Sequence, residues 1–217
     1  MNIYGLQKLT LLDYPEHTAC TVFLGYCNFR CPYCHNKELF TNPKPIMGSN
    51  SFLEWLKGKQ GKLDGVAITG GEPTLHERLP EFIRKIKDLG FLVKVDTNGY
   101  KPGVLQQLIY ECKVDYVAMD IKNSPDKYDI TTDVTLNFDR IEESVKIIMD
   151  SGIDYEFRTT VTHSLHNDDD FKAIGNLIYG AKNYYLQKCS TDSPLDSDLE
   201  RYKTIAEMYA LNVGIRG

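Results

Sequence analysis

Cys27, Cys31 and Cys34 stand in the run Cys27-Asn28-Phe29-Arg30-Cys31-Pro32-Tyr33-Cys34, a C-x3-C-x2-C spacing. Thiolates are soft ligands that suit iron–sulfur clusters and zinc. Structural zinc and purely electron-carrying [4Fe–4S] clusters usually take four protein ligands. Three cysteines in one compact run can instead grip three corners of a four-iron cube and leave the fourth iron to something that is not protein. Such a centre is built for reaction. A zinc site completed by His35 is the plain alternative, but structural zinc usually pairs two close cysteine couples, and His35 follows Cys34 too directly to close the same sphere.

Short apolar runs alternate with helical patterns along the chain, and polar motifs follow the runs. Ala19–Leu24 reads as a strand that ends just before Cys27. Ser51–Lys59 reads as a helix with Ser51 as N-cap and Phe52, Trp55 and Leu56 on one face. Gly65–Thr69 is a strand running into Gly70-Gly71-Glu72-Pro73. Leu79, Phe82, Ile83 and Ile86 then recur at helical spacing, with Gly90 where a C′ glycine belongs. Phe91–Val95 leads into Asp96-Thr97-Asn98-Gly99, and Pro102–Cys112 is helical. Tyr116–Met119 leads into Asp120-Ile121-Lys122, and a helix carrying Ile141, Val145 and Ile148 follows. Tyr155–Val161 is a fifth strand, and Asn167 with three aspartates marks a helix start. Asn183–Leu186 is a sixth strand, Leu199–Ala210 a last helix and Val213–Arg216 an edge strand.

Six strand–helix units in a row predict a parallel sheet with right-handed crossovers, two units short of a closed barrel. The fold class expected is therefore α/β, an incomplete (β/α)6 barrel. In such folds ligands sit at the C-terminal ends of the strands. The cysteine run, Gly70 to Pro73, Asp96, Asp120 with Lys122, and Gln187 all fall at such ends. The whole chain, 1–217, reads as a single domain with a core at about 19–187, an N-terminal extension 1–18 and a C-terminal helix and edge strand at 196–217.

Composition narrows the setting. With 25 basic and 30 acidic residues the formal charge is −5, and no long run of either sign offers a nucleic-acid or anionic-membrane surface. No segment approaches the roughly 20 apolar residues of a membrane span. The N-terminal stretch lacks the pattern of a signal peptide. Six cysteines then suit a reducing compartment, so a cytoplasmic protein is expected. Cys20, Cys112 and Cys189 lie singly and read as small buried hydrophobes. His163 and His166 lie in a polar loop and read as solvated.

Taken together, CNFRCPYCHN, TGGEPTL, DTNG, AMDIK and EFRTTVTH, with GLQKLTLLDYP before the first strand, resemble the radical S-adenosylmethionine (SAM) superfamily. They look most like activating proteins of anaerobic ribonucleoside-triphosphate reductase, over about residues 5–187. The resemblance implies the radical SAM type of incomplete barrel and two cofactors, a [4Fe–4S] cluster on Cys27, Cys31 and Cys34, and SAM chelating the fourth iron through its amino and carboxylate groups. One electron then splits the sulfonium C–S bond into methionine and a 5′-deoxyadenosyl radical. Cofactors carry such chemistry, and the protein positions and shields them.

The resemblance also implies individual roles. Gly70, Gly71 and Glu72 should hold the methionine amino group, glycines by admitting a ligand close to backbone and the carboxylate by accepting from an ammonium. Asp96 and Asp120 match acidic positions around that ammonium, and Lys122 a lysine that pairs with the methionine carboxylate. Tyr33 and His35 match positions near adenine. Arg158 and Thr160 match positions lining the nucleoside. Two departures stand out. Tyr26 precedes Cys27 where related sequences commonly have glycine, which bears on the tight turn there. A histidine that formate-lyase activases carry near the sixth strand's end is absent, and Gln187 is the candidate replacement as a neutral donor.

The partner implied is a large glycyl-radical protein, an anaerobic ribonucleotide reductase, with an electron donor such as flavodoxin or ferredoxin and neither nucleic acid nor membrane. An activase of another glycyl-radical enzyme, or a small-molecule radical SAM enzyme like the deazaguanine-forming synthases, is the alternative within catalysis. A zinc-binding or electron-transfer module is the alternative outside it.

Overall fold

The computed structural model describes residues 1–216, so Gly217, the last residue of the expected C-terminal extension, lies outside the described residues. Two short pieces open the chain, β1 (Asn2–Ile3) and β2 (Gly5–Thr10), before β3 (Ala19–Leu24), α1 (Glu38–Thr41), β4 (Met47–Gly48) and α2 (Ser49–Lys57). Strand–helix alternation then runs through β5 (Gly65–Gly70), α3 (Leu79–Asp88), β6 (Leu92–Thr97), α4 (Pro102–Tyr110) and β7 (Tyr116–Asp120). It continues with α5 (Tyr128–Thr132), α6 (Asp139–Asp150), β8 (Asp154–Val161), α7 (Asp168–Leu177), β9 (Asn183–Lys188), α8 (Asp196–Ala206) and β10 (Asn212–Arg216). Strands fall in the order β10-β9-β8-β7-β6-β5-β3-β2. Antiparallel pairing joins β2 to β3, and β3 with β5, β5 with β6, β8 with β9 and β9 with β10 are parallel. The fold is α/β with a mostly parallel sheet. The six expected strands are β3 and β5 to β9, and β10 is the edge strand read from Val213–Arg216. No helix among the described residues is long and apolar enough to cross a membrane.

Two compact units divide the chain. The first comprises residues 1–28, 36–97 and 101–117. Its strands β3 and β5 read A-C-T-V-F-L and G-V-A-I-T-G and are buried on both faces, as parallel strands covered by helices must be. Leu79, Phe82, Ile83 and Ile86 of α3 form its buried stripe, and Phe82 meets Phe52 of α2 with ring centroids 5.7 Å apart. Gly90, at φ +86°, takes the left-handed position after α3 and returns its N–H to the Lys87 carbonyl at 2.8 Å. The helix expected from Ser51 starts two residues earlier, at Ser49. Its start is fixed from afar: the β1–β4 ribbon brings Ser49 N to the Met1 carbonyl at 2.9 Å and Ile46 N to that of Ile3 at 2.8 Å.

The second unit holds residues 29–35, 98–100 and those from 118 onward. Phe157, Leu186, Phe171, Ile174 and Tyr202 are buried there, and Phe171 stacks on Tyr202 at 4.3 Å. Asn167 and Asp170 form a reciprocal capping box at the start of α7, as its acidic run predicts. The last helix ends at Ala206 rather than Ala210, because Glu207 to Tyr209 fold into a turn whose Tyr209 carbonyl accepts from Gly180 N at 2.8 Å.

His166 corrects the sequence reading. It is 5% exposed, not solvated. Its Nδ1 accepts from Thr162 N at 3.2 Å, which leaves Nε2–H to donate to the Lys122 carbonyl at 3.1 Å. Burial holds its pKa below 6.5, against weaker opposing pulls from the Lys122 carbonyl and Asp170. His163, by contrast, is exposed.

Two predictions follow from this packing. The unfolded chain protonates His166 at a higher pH than the folded one, so this residue's contribution is complete above pH 6.5 and is lost on acidification below it. Denaturation titrations should show stability falling there by at most about 1.4 kcal/mol per pH unit for the one proton, and His166→Gln should remove that part of the dependence. Gly103, inside α4, has open space where a Cβ would sit. Gly103→Ala should raise unfolding stability by roughly 0.4–1 kcal/mol, and a loss of stability would refute the packing described.

Candidate functional site

In the first unit, the chain leaves β3 through Gly25, Tyr26 and Cys27 against the end of β5. Gly71 N donates to the Leu24 carbonyl at 2.8 Å and Glu72 N to that of Tyr26 at 2.7 Å. A Cβ on Gly70 would overlap the Leu24 backbone, and one on Gly71 the Tyr26 carbonyl oxygen. The glycine pair therefore lets the chain's own backbone approach, at the positions expected to admit a ligand. Tyr26 makes the tight turn itself, without glycine: it takes φ +66°. Its N–H donates to the Leu39 carbonyl at 2.7 Å, and its ring meets Tyr4 edge-on at 6.0 Å.

Glu72 is 1% exposed. Its Oε1 accepts from Thr74 N at 3.0 Å and Thr74 Oγ1 at 2.5 Å, capping the 3-10 turn Pro73–Leu75, and from Thr97 Oγ1 at 2.8 Å. Asp96 pairs with Lys94, two residues before it on β6 and so on the same face. Lys94 is 2% exposed and lies 5.9 Å from the Tyr116 ring. Sequence reading missed Lys94, Asn36, whose Nδ2 reaches the Gly70 carbonyl at 3.4 Å, and His76, whose Nε2 donates to the Gly25 carbonyl at 2.8 Å. Lys94 carried a signal, a lone cation inside an apolar strand.

In the second unit, Arg30 N donates to the Thr132 carbonyl at 2.8 Å, and Cys34 N to that of Cys31 at 3.1 Å. Cys31 is buried, Cys34 half-buried and His35 exposed. Burial pushes the Cys31 thiol up, and the positive Lys122 acts in the opposite sense. Tyr33 is buried and its pKa is raised by that burial. Its hydroxyl has no hydrogen-bond partner among the described residues.

Asp120, Lys122 and Arg158 meet. Lys122 Nζ lies 2.9 Å from Asp120 Oδ2, and Arg158 Nε 2.8 Å from Asp120 Oδ1. Burial opposes the carboxylate's charge, but Arg158 and then Lys122 outweigh it and hold Asp120 below the usual range. Burial likewise opposes the charge on Lys122, and Asp120 overturns it, raising Lys122 well above its ordinary value. Lys122 N donates to the buried Tyr128 hydroxyl at 3.3 Å. Thr160 on β8 and Gln187 on β9 are register partners, and Gln187 is in turn paired with Arg216 on β10.

The donors fit an iron–sulfur cluster. No disulfide joins any of the six cysteines, so the thiols of the run are available in the reduced state a cluster needs. The unpartnered Tyr33 hydroxyl inside the same loop matches a polar group that a bound cofactor satisfies. Among the described residues no three His, Cys, Asp or Glu side chains already surround an ion position, so the run's cysteines stay candidate ligands on their spacing.

Known proteins complete the picture. The family model of the radical SAM superfamily matches residues 21–178. A protein of Methanocaldococcus jannaschii, provisionally named a glycyl-radical enzyme activating enzyme, is 30% identical over 99% of this chain and 95% of its own. A second from that organism, with the same provisional name, is 28% identical over 95% of this chain and 80% of its own. Among solved structures, Streptococcus suis SuiB bound to precursor peptide SuiA superposes with a TM-score of 0.67 at 15% identity over 91% of this chain, which spans about half, 48%, of SuiB. Native anSMEcpe with bound AdoMet gives 0.65 at 17% identity over 85% of this chain and 58% of its own. These two show the fold alone. Family match and full-length relatives agree with the cysteine run: this chain belongs to the radical SAM superfamily, whose members bind a [4Fe–4S] cluster and SAM, and it is homologous to the two Methanocaldococcus jannaschii proteins that carry the provisional activating-enzyme name.

Proposed function

We propose that this protein is the activase of an anaerobic ribonucleoside-triphosphate reductase, generating a glycyl radical on that partner. The observation that carries the reading is a similarity extending along nearly all of both this chain and an activating-enzyme relative, with the three-cysteine run inside it. When bound, the cluster and SAM supply a primary carbon radical by one-electron cleavage of the sulfonium, with methionine as the other product. Removal of a Cα hydrogen from one glycine of the partner then yields 5′-deoxyadenosine. A glycine radical is delocalised by the flanking amides, and no side chain obstructs approach.

The chain's residues divide the work. Cys27, Cys31 and Cys34 hold the cluster. The Gly70-Gly71-Glu72 segment and Asp96 serve the methionyl ammonium, with Asp120 as a further acidic partner. Lys122 pairs with the methionyl carboxylate. Tyr33 and His35 lie toward adenine, and Arg158, Thr160 and Gln187 toward the nucleoside and carboxylate side. A low-potential carrier such as flavodoxin or ferredoxin provides the electron, in the cytoplasm.

A second reading is a radical SAM enzyme acting on a small molecule. A Saccharolobus islandicus protein, provisionally named a GTP 3′,8-cyclase, shares 31% identity over 154 residues, covering 68% of this chain and 48% of its own. Its shorter overlap makes it the weaker guide.

The test is anaerobic. Reconstituted protein with reductant and SAM is expected to release methionine and 5′-deoxyadenosine in equal amounts, and Cys27→Ala, Cys31→Ala and Cys34→Ala each to reduce this to background. Added reductase should gain a glycyl signal in electron paramagnetic resonance. Absence of deoxyadenosine would overturn the radical SAM chemistry, and deoxyadenosine without any glycyl signal would overturn the activase assignment.

A further inference from the structure

The second unit carries a row of alternating charges that the family resemblance only partly covers. Glu156, Arg158 and Thr160 alternate along β8 and so share one face. Glu156 is 1% exposed. Arg216, from β10, grips it with a bidentate fork, Nη1 to Oε1 at 2.8 Å and Nη2 to Oε2 at 2.9 Å. The Arg216 guanidinium also lies 3.5 Å from the centre of the Tyr185 ring on β9. Arg158 Nη1 stands 3.9 Å from Glu156 Oε1, while its Nε donates to Asp120. The order is therefore Arg216, Glu156, Arg158, Asp120, Lys122, plus and minus in turn.

We infer that Arg216 is a positioning residue: by satisfying Glu156 it keeps that carboxylate from drawing Arg158 away from where it orients Asp120 and Lys122. The inference rests on the proposed role of Asp120 and Lys122 in holding SAM. Arg158 faces two carboxylates. The fork from Arg216 satisfies Glu156, so Arg158 can commit its Nε to Asp120. Without the fork, a buried carboxylate loses two charge-assisted bonds and draws Arg158 toward itself. Asp120 then loses one of its two cations, and Lys122 is pulled toward the carboxylate that remains.

A double-mutant cycle separates this from a packing role. SAM affinity is measured by anaerobic equilibrium dialysis on the reconstituted protein, with thermal midpoints alongside. Arg216→Ala is expected to weaken SAM binding roughly tenfold. Glu156→Gln, which removes the competing charge, should have an effect of about threefold or less. The double variant should bind like Glu156→Gln alone, because no competing carboxylate remains. Arg216→Lys keeps the charge and loses the fork, and should weaken binding by roughly threefold even if the alanine variant does not fold. Wild-type affinity in the arginine variants, or a double variant as weak as Arg216→Ala, would overturn the inference alone. No SAM binding by the wild-type protein would overturn the underlying reading as well, and deoxyadenosine release reports on that reading independently.

Discussion

The close approach of the Gly70-Gly71 backbone to Leu24 and Tyr26 is the constraint on which the first unit's chemistry depends. Two hydrogen bonds, Gly71 N to Leu24 O and Glu72 N to Tyr26 O, tie the end of β5 to the point where the cysteine run begins. Neither glycine can carry a Cβ without displacing that backbone. Tyr26 pays for its place in the turn with a left-handed conformation that costs a non-glycine residue roughly 1–2 kcal/mol, offset by the bond to Leu39 and the contact with Tyr4. Glu72 joins the same arrangement: its carboxylate caps the following turn and takes the Thr97 hydroxyl from the end of β6. A family motif read as ligand-binding is thus first a device that fixes where Cys27 stands.

Charge plays the corresponding part in the second unit. Asp120 stays ionised although half-buried because two cations face it, and Lys122 stays protonated because Asp120 does. Such a network resists drift in side-chain position. On the proposed reading, that resistance suits a site for a zwitterionic amino-acid moiety, with an ammonium and a carboxylate to be told apart.

Legibility in the sequence followed the range of the forces involved. Strands buried on both faces were readable as unbroken apolar runs, so β3 runs over Ala19–Leu24 as expected and β5 and β7 differ only by a residue at their ends, while β9, buried at alternate residues, runs two residues further. The α7 start was readable because its capping box is local. The α2 start was not, because bonds to Met1 and Ile3 from distant sequence set it. His166 looked solvated in its polar loop, yet Phe171 and Tyr202, which arrive from α7 and α8, bury it. Asp120 and Lys122 were read as sharing a face, and they do pair. Glu156 and Arg216 were not read together, since sixty residues separate the two ends of one fork and only strand register brings them together.

On the proposed reading, three cysteines hold a four-iron cluster and leave one iron to the amino-acid end of SAM. The most direct measurement is electron–nuclear double resonance on the reduced, reconstituted protein with SAM labelled at its amino nitrogen. With 15N as the label, a 15N hyperfine coupling to the cluster is predicted, replaced by a 14N pattern when unlabelled SAM is used. A cluster whose four irons are all held by protein, with no coupling to the label, would contradict the account.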